Sequence, residues 1–121
     1  MKILLVEDHE EIWDFLSRRL RRRGFDVAVA TDGQEGVDKS RTEGPDIILL
    51  DMNLPTVDGW TAAGMMRGHP ATAAVPIIAL TAHAMSGDKD KAIAAGCMDY
   101  CSKPIDFSDL LAKIERHAPK A

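Results

Sequence analysis

Cysteine is scarce in this sequence, and long hydrophobic segments are missing from it. The two cysteines, Cys97 and Cys101, have no other clustered ligands around them, so neither a disulfide framework nor a zinc site is indicated. No apolar run is long enough for a signal peptide or for a membrane-spanning helix. We therefore expect a cytoplasmic protein that does not enter a membrane and whose thiols are reduced and inert.

Positive charge is in the minority as well. The 15 Lys and Arg residues against 19 Asp and Glu residues give a net charge of −4, which argues against a general nucleic-acid binder. Because the one basic run is confined to a single predicted helix end, we interpret it as a solvated helix face. That run contains Arg18, Arg19, Arg21, Arg22 and Arg23. At 121 residues the chain is expected to be one domain, residues 1–121, which can fold without a crosslink.

Short apolar runs alternate with amphipathic segments along the whole chain. The runs predict strands at Lys2–Val6, Asp26–Ala30, Asp46–Leu50, Val75–Leu80 and Met98–Ser102. The first predicted helix has Ile12, Phe15, Leu16 and Leu20 on its apolar face and is ended by Gly24. The later helices are predicted at Gly33–Glu43, Trp60–Arg67, Ala84–Ala95 and Asp106–His117. Fivefold alternation of this kind predicts an α/β fold, a doubly wound parallel sheet with helices on both faces.

The third predicted strand is the one around which the rest of the chain is organised. Its four consecutive apolar residues, Ile47 to Leu50, are typical of a strand that is buried on both faces. Asp51 follows at the C-terminal tip, beside a loop that contains Pro55. We expect the Asp51 carboxylate to be exposed to solvent on a rigid backbone, and we infer that it is a phosphate acceptor.

Reactive side chains also follow the other predicted strands. Glu7 and Asp8 end the first strand, Thr81 ends the fourth, and the fifth runs into Lys103. Ligands of such sheets bind beyond the C-terminal strand ends, so these side chains are expected to converge on Asp51. The three carboxylates would repel one another without a cation, and oxygen ligands favour Mg²⁺. Together with a hydroxyl and an ammonium group they suit the positioning of a phosphoryl group.

The chain resembles the receiver domain of two-component response regulators over nearly its whole length. The matching segments are LLVED at Leu4–Asp8, LLDMNLP at Leu49–Pro55, the pair Asp58-Gly59, LTA at Leu80–Ala82 and YCSKP at Tyr100–Pro104. The stretches Thr81–Asp88 and Ala95–Ile105 look most like those of single-domain receivers and hybrid-kinase receivers. The resemblance implies a flavodoxin-like five-stranded sheet of order 2-1-3-4-5 with five helices. Since Met1 opens directly into the first strand, we expect a free-standing receiver.

The resemblance also implies a role for each residue of the site. Asp51 would accept phosphate from a phosphohistidine of a histidine kinase or histidine phosphotransfer protein. Thr81 and Lys103 would bind the phosphoryl oxygens. Mg²⁺ would be held directly by Asp8, Asp51 and the main-chain carbonyl of Asn53, while Glu7 would act through a metal-bound water.

A conformational switch, as opposed to enzymatic turnover, is the activity that the resemblance implies. Tyr100 would turn inward as Thr81 moves toward phosphate, and the Lys103-Pro104 bond would be cis. The helix Ala84–Ala95 has a thin apolar stripe, mainly Met85, Ala92 and Ile93, so we expect it to move. A downstream protein would then bind the face that this helix forms with strand 98–102 and helix 106–117.

Three further side chains leave alternatives open. His83 either tunes attack of water on the acyl phosphate or is a solvated loop residue. Trp13 is either an exposed hot spot for the phosphodonor or half-buried packing. His9, beside the predicted metal site, is expected to be structural or to face solvent.

Three other functions compete with phosphoacceptor signalling. A phosphatase of the haloacid dehalogenase type also uses an Asp nucleophile and Mg²⁺, but its second Asp is replaced here by Asn53, which cannot move protons. A degenerate receiver that serves only as a binding module is disfavoured because every acceptor-site residue is present. A dinucleotide- or flavin-binding domain is excluded because Glu7-Asp8 stands where a glycine-rich turn would be needed.

Overall fold

The computed structural model describes residues 1–82 and 87–119, which form a parallel sheet between two layers of helices. The strands are β1 (Lys2–Val6), β2 (Asp26–Ala30), β3 (Ile47–Asp51), β4 (Ile77–Thr81) and β5 (Asp99–Ser102). The helices are α1 (Glu10–Arg22), α2 (Gly33–Thr42), α3 (Gly59–Arg67), α4 (Asp88–Ala94) and α5 (Phe107–His117). The strand order is β2-β1-β3-β4-β5, and every neighbouring pair is parallel. The predicted fold class and strand order are therefore confirmed.

The two central strands extend one residue further than their apolar runs. Asp51 pairs with Leu80 in the ladder between β3 and β4, and Thr81 pairs with Ser102 of β5. Asp46 was predicted to open the third strand, but its carboxylate instead accepts a hydrogen bond from the Lys2 backbone amide at 2.8 Å. The fold therefore holds both polar residues in regular strand backbone at the sheet edge.

The helix predicted at Ala84–Ala95 is observed as α4, Asp88–Ala94, and Gly87 and Ala95 lie outside it. Within the described residues α4 begins at Asp88, while residues 83–86, which include His83 and Met85, lie outside the described part of the chain. Of its predicted apolar stripe, Ala92 is fully buried, but the Ile93 side chain is 49% exposed. Among the residues of α4 whose burial is described, only Ala92 is buried, which agrees with a thin apolar stripe.

Each face of the sheet carries its own hydrophobic core. One core joins β1, β3 and β4 to α2, α3 and α4 through residues that include Leu4, Ile48, Leu50, Met66 and Ala92. The other joins the opposite face to α1 and α5 through residues that include Ile3, Leu49, Leu16, Leu20 and Leu110. Phe15 shares the apolar spacing of α1 but lies outside the core, because the residue is 45% exposed.

Two helices begin at an aspartate whose side chain caps the first turn. Asp58 caps α3 by accepting from the Thr61 amide at 2.8 Å, and Asp106 caps α5 by accepting from Ser108 and Asp109. Gly24 follows the last turn of α1 with a φ of +90°, which confirms it as the residue that ends this helix. These caps fix where α3 and α5 begin, after the loops that follow β3 and β5.

Arg67 joins the end of α3 to the segments around it. Its guanidinium donates to the carbonyls of Gly96 at 2.7 Å, Val75 at 2.7 Å and Ala73 at 3.0 Å. Burial lowers the pKa of this guanidinium from its usual value. Because Gly96 lies just after α4 and Val75 lies before β4, one side chain ties the C-terminal end of α4 to the base of its neighbouring strand.

Gly59 is required by a close approach between α3 and the end of β3. A methyl group on its Cα would overlap the Asp51 carbonyl oxygen and the Met52 Cα. We expect Gly59→Ala to lower the free energy of unfolding by about 3 kcal/mol, because backbone atoms cannot move aside as a flexible side chain can. Gly64→Ala is the matched control, since nothing lies within 4 Å of the added methyl group. In the same helix it should stabilise by about 0.5–1 kcal/mol. Urea unfolding of both variants measures the difference, and equal effects would contradict this account.

Candidate functional site

The acidic residues predicted from the strand ends meet at one point of the sheet edge. One ligand atom from each of Glu7, Asp8, His9 and Asp51 lies within 4.8 Å of the others. The pairing of β1 with β3 brings the first and last of these together, since Val6 and Leu50 are partners in the ladder. The predicted convergence of the three carboxylates is what the structure contains.

Lys103 reaches this cluster from the loop between β5 and α5. Its ammonium donates to Glu7 Oε1 at 2.7 Å and lies 3.4 Å from Asp51 Oδ2. The Lys103 amide donates to the Thr81 carbonyl at 2.7 Å, which fixes the loop to the end of β4. The Lys103-Pro104 peptide bond is cis, as expected. A cation and two carboxylates therefore form one compact, mutually compensating group.

The Asp51 carboxylate is buried, so the expectation that it is exposed to solvent is wrong. Only 1% of the Asp51 side chain is accessible, and that of Glu7 is fully buried. The cause is that β3 continues through Asp51 and that the next residue is covered, with Met52 accepting from the Gly59 amide. The candidate acceptor sits in a pit at the sheet edge, out of the open solvent.

Burial makes the protonation of the two carboxylates interdependent. Burial, followed by the hydrogen bond to Glu7 and the charge of Glu7, raises the pKa of Asp51 to about 7. Burial would also raise the pKa of Glu7, but hydrogen bonds from Asp51 and Lys103 bring it below its usual value. For Lys103, hydrogen bonding to Glu7 and the nearby charges raise the pKa although burial opposes this. The pair therefore holds one shared proton more readily than two negative charges.

The oxygen atoms of the cluster fit a hard divalent cation. Asp8 Oδ1 and Asp51 Oδ2 are buried, and neither has a hydrogen-bond partner among the described residues. Lys103 and the His9 ring lie 3.4 Å from Asp51 Oδ2 and Asp8 Oδ1, but neither oxygen accepts a hydrogen bond from them. Buried polar atoms are normally hydrogen-bonded, so these two oxygens have capacity for a further positive partner. Carboxylate oxygens with few nitrogen or sulfur ligands favour Mg²⁺ over transition metals.

The remaining predicted residues lie around this centre at different distances. The backbone amide of Asn53 donates to Asp51 Oδ1 at 3.2 Å, which orients that carboxylate. Thr81 is fully buried at the end of β4. Tyr100 is half-buried and packs against the core beside Lys89 and Lys113, whose ammonium groups lie 5.4 and 4.9 Å from its ring centroid. The predicted switch residue thus lies on the β5 side of the sheet, outside the acidic cluster.

The sequence did not indicate that His9 belongs to the acidic cluster, but one of its ring nitrogens lies within it. Its Nδ1 lies 3.4 Å from both Glu7 Oε2 and Asp8 Oδ1, while 54% of the side chain is exposed, as expected for a residue that faces solvent. Its position directly after Asp8 was the available signal. Trp13 is half-buried and packs against the core beneath α1, as the packing alternative expects, while its role toward a phosphodonor stays a prediction.

The two cysteines are unsuited to chemistry. Both are buried, and burial raises the pKa of Cys97 to about 11 and that of Cys101 to about 12. Thiols that stay protonated at neutral pH are poor nucleophiles.

In the part of the chain that the structure describes, no helix is long and apolar enough to cross a bilayer.

Known proteins share both the sequence and the fold of this chain. Hybrid signal transduction histidine kinase G of Dictyostelium discoideum is 41% identical over 98% of this chain, which covers 4% of that kinase. The chain spans about half the length of the other curated relatives it matches, such as the regulator RpaA of Synechocystis, which is 37% identical over 93% of this chain. Comparison of whole proteins therefore extends only to the matched segment.

Solved receiver structures superimpose closely on it. The receiver domain of the Pseudomonas aeruginosa sensor kinase PA1611, solved with magnesium in its active-site cleft, gives a TM-score of 0.90 at 36% identity, covering 96% of this chain and 95% of that one. The Saccharomyces cerevisiae Ssk1 receiver, solved with the phosphotransfer protein Ypd1, gives 0.89 at 32% identity, covering 98% and 88%. A family model described as the response regulator receiver domain matches residues 3–115. With its 2-1-3-4-5 sheet and its acidic pit, this chain belongs to the response regulator receiver family.

Proposed function

We propose that the chain accepts a phosphoryl group on Asp51 in a Mg²⁺-dependent reaction and switches conformation to control a partner protein. The donor is the phosphohistidine of a histidine kinase or of a histidine phosphotransfer protein. One observation carries the proposal: the buried acids Glu7 and Asp51 meet the Lys103 ammonium, and two oxygens of the acidic cluster accept no hydrogen bond among the described residues. The family match and the neighbour that was solved with a phosphotransfer protein support the choice of donor.

Mg²⁺ would be held by the carboxylates of Asp8 and Asp51 and by the Asn53 carbonyl, with Glu7 acting through a water. When bound, the ion supplies charge neutralisation for the phosphoryl oxygens and for the crowded acids. Asp8 Oδ1 and Asp51 Oδ2, which are buried and accept no hydrogen bond among the described residues, support this ligand set. The backbone amide of Asn53 donates to Asp51 at 3.2 Å, which places this residue beside the proposed ion.

The transfer itself requires positioning more than covalent help from the protein. One Asp51 carboxylate oxygen forms a bond to phosphorus while the bond between phosphorus and the donor imidazole nitrogen breaks, and the imidazole keeps the electron pair. The Lys103 ammonium lies 3.4 Å from Asp51 Oδ2, so it is close enough to bind the phosphoryl oxygens and neutralise their charge. Thr81, at the end of β4, would donate its hydroxyl to another of those oxygens. The buried position of Asp51 keeps competing water away from the acyl phosphate.

The output would be a rearrangement on the β5 side of the sheet. Phosphorylation adds close to two negative charges, which draws Thr81 and gives Tyr100 room to turn inward. Tyr100 must then leave the contacts that hold it half-buried, since Lys113 lies over its ring and donates to its carbonyl at 2.6 Å. The face formed by residues 84–95, 98–102 and 106–117 would bind the downstream protein.

The proposal also covers turnover, cellular location and the class of partner. The chain acts as a stoichiometric acceptor that assists its own phosphorylation and slow dephosphorylation, in a cytoplasmic setting and without nucleic acid as a partner. The net charge of −4 supports the last point. The phosphatase alternative is not favoured, because Asn53 replaces the acid that such enzymes need and the family match lies elsewhere.

Incubation with Mg²⁺ and a small-molecule phosphodonor, followed by mass spectrometry of the intact protein, tests the acceptor. We expect wild type to gain one phosphoryl group and Asp51→Ala to gain none. Asp58→Ala is the matched control, since this exposed acid of the same loop only caps α3, and it should be phosphorylated as wild type is. Uptake by Asp51→Ala at the wild-type level would refute the assignment. Steady turnover of phosphomonoesters would favour the phosphatase.

A further inference from the structure

The imidazole of His9 lies at the mouth of the acidic pit. Its Nδ1 is 3.4 Å from Glu7 Oε2 and 3.4 Å from Asp8 Oδ1. One of its ring nitrogens belongs to the group of ligand atoms, with one oxygen each of Glu7, Asp8 and Asp51, that lie within 4.8 Å of one another. The pit therefore offers a nitrogen ligand in addition to its carboxylate oxygens.

The backbone of His9 is fixed, while its ring is held only loosely. His9 is the N-cap residue of α1, and its carbonyl accepts hydrogen bonds from the amides of Ile12 and Trp13 at 3.0 Å each. The side chain does not cap the helix, and 54% of it is exposed. Its two separations of 3.4 Å from carboxylate oxygens are longer than an ordinary N–H···O hydrogen bond. The helix thus presents this ring to the pit without using it as a cap.

Glu7 divides its two oxygens between Lys103 and the His9 side of the pit. Oε1 accepts from the Lys103 ammonium at 2.7 Å. Oε2 accepts from the Asp8 amide at 3.0 Å and lies 3.4 Å from His9 Nδ1. The lysine charge therefore compensates one side of Glu7, and the imidazole stands at the other.

Two oxygens of the pit have capacity for a further cation. Asp8 Oδ1, beside His9, is buried and accepts no hydrogen bond among the described residues. Asp51 Oδ2 belongs to a side chain that is only 1% exposed, and it accepts none there either, although the Lys103 ammonium lies 3.4 Å away. Buried carboxylate oxygens are normally satisfied, so these two atoms point to a bound ion, and the His9 nitrogen lies within reach of the same ion.

The nitrogen changes which ion the pit prefers. Mg²⁺ takes oxygen ligands and keeps several waters, whereas imidazole nitrogen suits Zn²⁺ and the other borderline transition ions. Two ligand atoms on opposite sides of such an ion are about 4.2 Å apart, because each bond is about 2.0–2.2 Å long. The ligand atoms of the pit, all within 4.8 Å of one another, need only small shifts to share one ion.

We propose that His9 is a nitrogen ligand that sets the metal specificity of this pit, so that it binds Zn²⁺ far more tightly than its carboxylates alone would. The inference rests on the proposed function, because the ion would share the Asp8 and Asp51 oxygens with Mg²⁺. It adds a residue outside the proposed Mg²⁺ ligand set and a second class of ion, a borderline divalent metal that competes for the acceptor site. Three protein ligands leave further coordination positions open to water.

Binding of Zn²⁺ and of Mg²⁺ to the full chain, without any phosphodonor, tests this. Isothermal titration calorimetry at neutral pH gives the Kd of each ion for wild type and for His9→Gln, which removes the imidazole and keeps a polar side chain. We expect the variant to lose Zn²⁺ affinity by about tenfold or more, since even the partners of a metal ligand are worth that much. Mg²⁺ affinity should stay within about twofold, because oxygen atoms bind that ion.

Spectra of the imidazole ¹⁵N nuclei identify the nitrogen that binds. On addition of Zn²⁺ the ring signals of His9 should shift, while those of His69 should stay. His69→Gln is the matched control, since this ring accepts from the Ala71 amide at 3.1 Å and lies outside the acidic cluster. The control should keep both affinities within about twofold. Asp8→Asn should weaken both ions, because its carboxylate is common to both ligand sets, and thermal unfolding checks that all three variants are folded.

Three results would overturn the proposal. Equal loss of Zn²⁺ and Mg²⁺ affinity in His9→Gln would show that the ring shapes the pit without binding the ion, and unchanged Zn²⁺ affinity would show that it has no part. Shifts of the His117 ring in place of that of His9 would assign the ion to the pair that His117 Nε2 forms with Asp99 Oδ2 at 2.9 Å. Because no phosphodonor is present, each outcome is independent of whether wild type takes up a phosphoryl group with Mg²⁺.

Discussion

Asparagine at position 51 is expected to stabilise the metal-free protein at pH 8 by about 1–3 kcal/mol while it abolishes phosphoryl uptake. The Asp51 carboxylate is buried beside Glu7, and its pKa is raised to about 7. A group whose pKa is raised on folding favours the folded state at low pH, and that contribution is lost as the pH rises toward and through the folded value. Above about pH 7 the native state must therefore hold an extra buried negative charge. Asparagine removes the charge and keeps the shape.

Urea unfolding at pH 5 and pH 8, with and without Mg²⁺, measures this effect. The advantage of Asp51→Asn should be large at pH 8, smaller at pH 5 where Asp51 is protonated, and reduced by Mg²⁺, which stabilises wild type more. Asp38→Asn, an exposed acid on α2, should change stability by less than about 0.5 kcal/mol at both pH values. A variant at position 51 that is less stable than wild type at pH 8 without metal would contradict the electrostatic account.

Methionine in place of Lys103 is expected to have the opposite effect, a loss of about 2–4 kcal/mol at pH 8 without metal. The side chain is 16% exposed, and its ammonium donates to fully buried Glu7 at 2.7 Å. Removing one partner of a buried ion pair leaves the other charge uncompensated. Since the pKa of Lys103 is raised, the lysine is fully protonated at pH 8 and its contribution is fully present there.

Chemical unfolding with a double-variant cycle tests the coupling. Mg²⁺ should restore part of the stability of Lys103→Met, and Asp51→Asn combined with Lys103→Met should lose less than Lys103→Met alone, because fewer charges remain. Lys91→Met, an exposed lysine on α4, is the control and should cost less than about 1 kcal/mol. A loss at Lys103 no larger than that at Lys91 would mean that the buried pair contributes nothing.

The fold and the composition of the site were predictable because they depend on local patterns. Buried parallel strands are read as continuous apolar runs, as in Ile47–Leu50, and the residue after each run is placed at the same sheet edge by topology. The contact of Lys103 with Glu7, 96 residues apart in the sequence, follows from that topology once the strand order is assumed.

Burial and side-chain direction were the parts that the sequence could not supply. Whether Asp51 is exposed depends on one further ladder pair and on the approach of Gly59, and neither is written in the apolar pattern. Phe15 has the spacing of a core residue, yet it turns toward Arg19 on the surface. Periodicity assigns a face of a helix, but the width of the buried face is set by the neighbouring elements.

The anchoring of Gly96 by Arg67 limits how α4 can respond to phosphate. Because Arg67 bonds to the Gly96 carbonyl just after α4 and to the Val75 carbonyl just before β4, we expect the helix to pivot about that end instead of sliding along the sheet. Displacement would then grow with distance from the pivot and be largest near the acceptor edge, so a small movement at the phosphate becomes a change of tilt. Amide hydrogen exchange measured before and after phosphorylation tests this pivoting motion. Exchange should become faster near Gly87 and stay constant at Cys97, whereas an equal change along the whole helix would exclude the pivot.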